Sequence, residues 1–128
     1  MNVQGTKSLL ELAKQMPKIE AIVHVSTAYA HCYRHITGEN LYTNENSLDA
    51  DEILKLCNRV SVEELDSTAM TKTIIGNHPN TYTFTKSKAE EILAKSAGHL
   101  PVSIVRPSIV VASWKDPFPG NFSSIEWL

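Results

Sequence analysis

Tyr82 and Lys86 stand four residues apart in the run Asn-Thr-Tyr-Thr-Phe-Thr-Lys. On a helix this spacing places both side chains on one face, so the lysine ammonium can lie beside the phenol oxygen. A phenol ordinarily titrates near pKa ~10, and a neighbouring cation favours the phenolate form. The pair could therefore serve as a general acid or base. The alternative is a tyrosine and a lysine on the exposed side of a surface helix.

The elements around this pair predict a strand, helix, strand unit. Residues 20–26 form a short apolar run typical of a buried strand, and they deliver the hydroxyl groups of Ser26 and Thr27 at its carboxyl end. Open α/β sheets bind their ligands at that end of the strands. The helix that carries Tyr82 is expected to stop at Gly98, and residues 102–105 predict the next strand.

Further elements follow from local signals. Residues 2–15 predict a helix whose apolar side comprises Leu9, Leu10, Leu12, Ala13 and Met16, with Pro17 at its exit. Residues 30–47 are polar and favour a loop. Acidic residues at 49–52 and the Ser-Val-Glu-Glu run at 61–64 indicate two helix starts, and residues 76–79 indicate a turn before the Tyr82 helix.

With these pieces assembled, the chain resembles the extended short-chain dehydrogenases/reductases, and among them the alcohol-forming fatty acyl-CoA reductases of animals and insects. Four stretches resemble extended reductases generally: residues 2–12, which include Asn-Val-Gln-Gly-Thr, and residues 24–29, 79–86 and 105–110. The run Ser-Trp-Lys-Asp-Pro-Phe-Pro-Gly at 113–120 points to the acyl-CoA reductases. Residues 34–77 are variable, and residues 121–128 depart from the family pattern.

This resemblance implies a role for each candidate site residue. Tyr82 would donate the proton to the carbonyl oxygen, and Lys86 would assist it and hydrogen-bond the nicotinamide ribose. Thr27 is favoured as the hydroxyl that orients the substrate oxygen, with Ser26 as its competitor because alternation along a strand would point only one of them into the cleft. The asparagine of the Asn-Val-x-Gly-Thr stretch, Asn2, would support a proton relay through water; a plain helix N-cap is its alternative.

The end of the second strand would contact the cofactor. The resemblance places backbone groups of Pro107, Ser108 and Ile109 beside the nicotinamide, and a structural turn fixed by the proline is the alternative.

The activity that the resemblance implies is NADPH-dependent reduction of a long-chain fatty acyl-CoA to a primary alcohol, through an aldehyde, with release of CoA. A sugar-nucleotide epimerase or dehydratase, a hydroxysteroid dehydrogenase, and a non-catalytic fragment remain as alternatives. The implied fold is a partial Rossmann-type, doubly wound parallel α/β sheet. The five glycines form no glycine-rich strand-to-helix turn, so the first βαβ unit with its pyrophosphate site is expected to be missing.

We therefore expect residues 1–120 to be a fragment of the NAD(P)-binding reductase domain, inactive by itself, and residues 121–128 to be a divergent tail. The net charge of −2 and the scattered basic residues indicate no nucleic-acid partner. The histidines and cysteines lack metal-ligand spacing, and no stretch predicts a membrane helix. An intracellular location follows from the cysteine pattern, and the resemblance implies peroxisomal or endoplasmic reticulum membranes for the full-length protein.

Overall fold

A computed structural model describes residues 1–42, 48–116 and 118–120. The predicted tail at 121–128, part of the predicted loop (43–47) and Pro117 lie outside the described residues. In chain order the elements are α1 Asn2–Lys14, β1 Ile22–Val25, α2 Ala50–Cys57, α3 Val62–Leu65, α4 Thr68–Ile75, α5 Thr81–Ser96 and β2 Val102–Val105.

The two strands pair in parallel, with Ile22 opposite Val102 and Val25 opposite Val105. Parallel neighbours require a crossover connection, and α2 to α5 lie within it. The backbone pairing continues past both strands, because the Ser26 amide donates to the Val105 carbonyl at 2.8 Å and the Ala28 amide donates to the Pro107 carbonyl at 2.9 Å. The predicted α/β class with parallel pairing is confirmed, and the carboxyl ends of both strands meet at one edge.

Local signals set most helix boundaries. The Asn80 side chain accepts from the Thr83 amide and starts α5, while Gly98, at φ +59°, follows its end. Reciprocal capping boxes start α2 at Asp49 and α3 at Ser61. The predicted helix starts at residues 49–52 and 61–64 and the predicted stop at Gly98 are confirmed.

The sequence did not predict α4. Its run Thr-Ala-Met-Thr-Lys-Thr-Ile-Ile is rich in β-branched residues, which lower helix propensity, and no side chain caps its start. None of its residues is fully buried, so no apolar periodicity identifies it.

The core lies where α1 and α5 pack together over one face of the sheet. It is built from small and aliphatic side chains: Val3, Leu10, Ala13, Ala50, Ile92, Leu93 and Leu100. The predicted apolar side of α1 was partly wrong, because Leu9, Leu12 and Met16 are at least half exposed. These three side chains instead border an apolar groove of about 260 Å³ beside β1.

The opposite face of the sheet is uncovered among the described residues. Val23, Val25 and Val105 expose 59%, 58% and 49% of their surfaces there. Contiguous apolar surface of this kind promotes association.

We expect the 128-residue chain, expressed alone, to self-associate through its exposed valines. Size-exclusion chromatography with light scattering should detect soluble aggregates, and Val23→Lys should shift the distribution towards monomer because it places a charge on this face. A monodisperse parent chain with a cooperative thermal transition would contradict the expectation.

Candidate functional site

Tyr82 and Lys86 lie on the first two turns of α5, as the spacing predicted. The Lys86 ammonium nitrogen is 6.0 Å from the centroid of the Tyr82 ring, so the structure brings the two side chains together. Tyr82 is 44% exposed, which leaves its phenol accessible to a ligand.

Lys86 also connects α5 to the carboxyl end of β1. Its Nζ donates to the Val25 carbonyl at 2.9 Å. An ammonium group has three donors, so two protons remain for a ligand beside the strand end. The charge therefore lies at the edge where Ser26 and Thr27 leave the sheet.

Ser26 and Thr27 are both buried, at 3% and 6% exposure. The Ser26 hydroxyl donates to Glu90 Oε1 at 2.5 Å, whereas Thr27 Oγ1 accepts from the Tyr29 amide at 3.3 Å. Although β1 itself ends at Val25, the backbone pairing continues through Ser26 and Ala28, and the two hydroxyls have different partners. The Ser26 proton is committed to a carboxylate, which favours Thr27 as the substrate-orienting hydroxyl.

Asn2 lies against the Tyr82 helix. Its Nδ2 donates to Thr85 Oγ1 at 3.1 Å, and that hydroxyl donates to the Tyr82 carbonyl at 3.1 Å. The N-cap alternative for Asn2 was wrong, because Met1 occupies the cap position and no side chain caps α1. The asparagine thus contacts α5 between Tyr82 and Lys86.

The segment after β2 lies next to the hydroxyl pair. The Ala28 amide donates to the Pro107 carbonyl at 2.9 Å. Pro107 is therefore bonded to the residue that follows Thr27. Ser108 and Ile109 follow on the surface, and Ile109 is 67% exposed. Six of the predicted site residues lie at the strand ends, on the first turns of α5 or in contact with them: Asn2, Ser26, Thr27, Tyr82, Lys86 and Pro107. Ser108 and Ile109 follow Pro107 along the exposed chain.

A buried ionic cluster beneath this site was not predicted. Glu90 is 1% exposed and binds His31 Nε2 at 2.9 Å and Arg106 Nη2 at 2.6 Å through one oxygen. Its other oxygen accepts from Arg106 Nε at 3.0 Å, in addition to Ser26. One signal was present in the sequence: Glu90 follows Lys86 by four residues and so shares its helix face.

The cluster keeps Glu90 ionised. Burial by itself would raise its pKa, but hydrogen bonds from His31, Arg106 and Ser26 outweigh burial and lower the pKa from 4.5 to about 2. The same pairing raises the pKa of Arg106. The carboxylate therefore carries its charge at any pH where the site could operate.

His24 on β1 faces the same region. Two effects lower the pKa of His24: partial burial, which is the larger, and repulsion from the Lys86 ammonium. The imidazole is therefore neutral at pH 7. In the described part of the chain, no group of three or more histidine, cysteine or acidic residues is arranged to hold a metal ion.

Comparison with known families identifies this arrangement. The model of an NAD-binding family described as "Male sterility protein" matches residues 1–128. The chain belongs to the male sterility protein family. A nicotinamide cofactor and a partial Rossmann-like fold follow from this membership.

Curated members of related sequence are named as fatty acyl-CoA reductases. The chain is 43% identical over 121 residues to fatty acyl-CoA reductase wat of Drosophila melanogaster. It is 43% identical over 123 residues to fatty acyl-CoA reductase 1 of Xenopus laevis, and 42% identical over 123 residues to the human enzyme of the same name. Each match covers 94% of this chain but only 22% of the relative, so the chain spans about a fifth of the length of these proteins.

No solved structure matches the chain significantly. Across the described ranges, none of the helices combines the length and the apolar character that crossing a membrane requires.

The residues around Tyr82 and Lys86 fit a nicotinamide cofactor. Lys86 retains ammonium protons for ribose hydroxyls, and the accessible phenol of Tyr82 lies beside it. Ser108 and Ile109 are exposed residues that directly follow Pro107. A cation and a phenol thus lie together at the carboxyl ends of parallel strands, where α/β folds bind dinucleotides.

Proposed function

We propose that the full-length protein reduces a long-chain fatty acyl-CoA with NADPH to a primary fatty alcohol and releases CoA. One observation carries the proposal: the Tyr82 and Lys86 pair lies at the carboxyl end of β1, in a chain 42–43% identical to proteins named fatty acyl-CoA reductase. The parallel sheet edge and the accessible phenol support a reductive site there.

The side chains of this chain would supply the proton and the orientation. Tyr82 donates its phenolic proton to the substrate oxygen, and the Lys86 ammonium stabilises the negative charge that remains on the phenol. Thr27 donates a hydrogen bond to the same substrate oxygen. These bonds strengthen as the carbonyl oxygen gains charge, so they stabilise the transition state more than the ground state. A bound nicotinamide supplies the hydride.

The overall change requires two such reductions. In the first, the thioester carbonyl carbon gains hydride, its oxygen gains a proton, and cleavage of the carbon–sulfur bond releases the CoA thiol and an aldehyde. In the second, the aldehyde carbon gains hydride and its oxygen gains a proton, which gives the alcohol. Two NADPH and two protons are consumed for each acyl-CoA.

The choice of NADPH and the cellular location rest on the family resemblance. We propose NADPH as the reductant, and the peroxisomal or endoplasmic reticulum membrane as the location of the full-length protein. Comparing initial rates with NADPH and NADH, and imaging a fluorescently tagged full-length protein in cells, would test these two points.

The activity is tested on the full-length product of the native transcript. It should be incubated with NADPH and palmitoyl-CoA, and the extracted lipids analysed for fatty alcohol by gas chromatography with mass spectrometry. Alcohol formation that depends on both substrates would support the proposal. Consumption of NAD(P)H only with a steroid, or turnover only with a nucleotide sugar, would replace it with one of the other extended reductase activities.

The two neighbouring hydroxyls can be separated by mutation in the same protein. Thr27→Val should lower kcat/KM about 10²-fold, because it removes a hydrogen bond to the developing oxyanion, and Thr27→Ser should restore most of the activity. Ser26→Ala should instead destabilise the fold by roughly 1.5–3 kcal/mol, because Glu90 loses a charge-assisted hydrogen bond. Steady-state kinetics and denaturant unfolding measure the two effects, and a larger kinetic loss in Ser26→Ala would reverse the assignment.

A further inference from the structure

Helix α5 carries three ionisable side chains at intervals of four residues: Tyr82, Lys86 and Glu90. Residues at this spacing share one helix face. Along this face the environment changes, since Tyr82 is 44% exposed whereas Glu90 is 1% exposed. The carboxylate therefore lies inside the protein, two helical turns from the accessible phenol, and the catalytic steps described above make no use of it.

Glu90 joins the two segments that flank the strand ends. From the segment after β1 it binds the Ser26 hydroxyl at 2.5 Å and His31 Nε2 at 2.9 Å. From the end of β2 it binds the guanidinium of Arg106, through Nε at 3.0 Å and Nη2 at 2.6 Å. A bidentate guanidinium pair fixes orientation as well as distance. One side chain of α5 thus holds both loops at the site.

The held residues are the immediate neighbours of the proposed reactive groups. Ser26 precedes Thr27, and Arg106 precedes Pro107. The Ala28 amide then joins the two loops by donating to the Pro107 carbonyl at 2.9 Å. Both neighbours of Thr27 are therefore fixed: Ser26 binds Glu90, and Ala28 binds Pro107 of the other loop.

Arg106 also links Glu90 to the backbone of residues 38–40. Its Nη1 donates to the Gly38 carbonyl at 3.1 Å, and its Nη2 donates to the Asn40 carbonyl at 2.9 Å. These residues border an open groove of about 1060 Å³ that runs along β2 and includes Ala28. Loss of the Glu90 carboxylate charge would therefore disturb the wall of this groove as well as the hydroxyl loop.

We propose that Glu90 is a positioning residue, which orients Thr27 and the backbone of residues 107–109 for reduction by binding Ser26, His31 and Arg106. The inference rests on the proposed reductase function. Glu90 acts through its partners and touches no reacting atom. Its role differs from general stabilisation because its donors belong to the two segments that carry Thr27 and Pro107. Ser26 and His31 belong to the segment after β1, and Arg106 directly follows β2.

The adjacent carboxylate provides a matched control. Glu91 is also buried, at 5% exposure, and it accepts from Lys88 at 2.7 Å and from Lys95 at 2.6 Å. Both of these donors belong to α5 itself, whereas the donors to Glu90 come from the segments after β1 and β2. Glu90→Gln and Glu91→Gln therefore each remove one buried, paired charge from the same helix.

The kinetic test compares these variants in the full-length protein, below the unfolding temperature of each. Glu90→Gln should lower kcat about 10–100-fold with little change in KM for palmitoyl-CoA, because misplacing an orienting group by about 1 Å impairs the chemical step. Glu91→Gln should retain kcat within about threefold, as expected for a pair remote from the chemistry. Equal kcat losses in the two variants would overturn the proposal.

Hydrogen exchange gives a second readout that requires no activity. In Glu90→Gln the amides of Ser26 and Ala28, which bond to the Val105 and Pro107 carbonyls, should exchange at least about tenfold faster than in Glu91→Gln. Unchanged protection at both amides would overturn the proposed positioning even if kcat falls. If the parent forms no fatty alcohol, the proposed function fails, while exchange at these amides still decides whether Glu90 holds the loops.

Discussion

Replacing Tyr82 with phenylalanine is expected to reduce fatty alcohol formation by the full-length protein about 10²–10⁴-fold, the usual contribution of a positioned proton donor. Phenylalanine keeps the ring that lies near the Lys86 ammonium, and it removes only the hydroxyl. The exposed position of the side chain means that the fold should tolerate the change. Single-turnover measurement of NADPH oxidation with palmitoyl-CoA, combined with analysis of the alcohol, gives the size of the effect.

Two further variants make this result specific. Lys86→Met should cause a similar loss because it removes the adjacent ammonium, whereas Lys95→Met removes a half-exposed lysine from the last turn of the same helix and should leave the rate within about twofold. Thermal unfolding of all three proteins separates loss of chemistry from loss of fold. Tyr82→Phe with the parental rate would exclude the phenol as the proton donor.

Acidification is expected to destabilise the protein through Glu90. The folded state lowers the pKa of this carboxyl from 4.5 to about 2, because hydrogen bonds from His31, Arg106 and Ser26 outweigh the opposing effect of burial. A lowered folded pKa contributes stability that is fully present above the unfolded value, and this stability is lost as pH falls from about 4.5 to about 2. The shift corresponds to about 3 kcal/mol of the free energy of unfolding at neutral pH.

Denaturant unfolding of the full-length protein at pH 7, 5, 4 and 3 measures this contribution, with Glu90→Gln as the comparison. The variant should be less stable than the parent at pH 7, because Arg106 loses its buried counter-charge and His31 loses a carboxylate hydrogen-bond partner. Its stability should fall less steeply than that of the parent below pH 4.5. Parallel pH profiles for the two proteins would show that Glu90 does not carry the acid sensitivity.

Much of the scaffold around the site was predictable because its signals are local. The spacing of Tyr82 and Lys86 determines that they share a helix face, and the Asn80 cap and Gly98 delimit that helix. Short apolar runs between breakers predicted both strands, and residues 102–105 were placed with their observed bounds. The same signals were insufficient for α4, whose β-branched run contains no buried residue to mark a helical period.

Contacts between distant residues were beyond such signals. Leu9 and Leu10 are adjacent apolar residues, yet only Leu10 is buried, because α1 turns the side that carries Val3, Leu10 and Ala13 towards the core. Ser26 and Thr27 carry similar hydroxyls, and only the folded chain directs Ser26 to a carboxylate 64 positions away.

The sequence by itself determined the residue types at the site, their helical spacing and the strand that delivers the hydroxyls. The tertiary structure decided which hydroxyl is committed to Glu90, that Asn2 contacts Thr85, and that Arg106 and His31 share one buried carboxylate. The physical reason is that helical periodicity and capping act over a few residues, whereas a buried charge is stabilised by whichever donors the fold brings within hydrogen-bond distance.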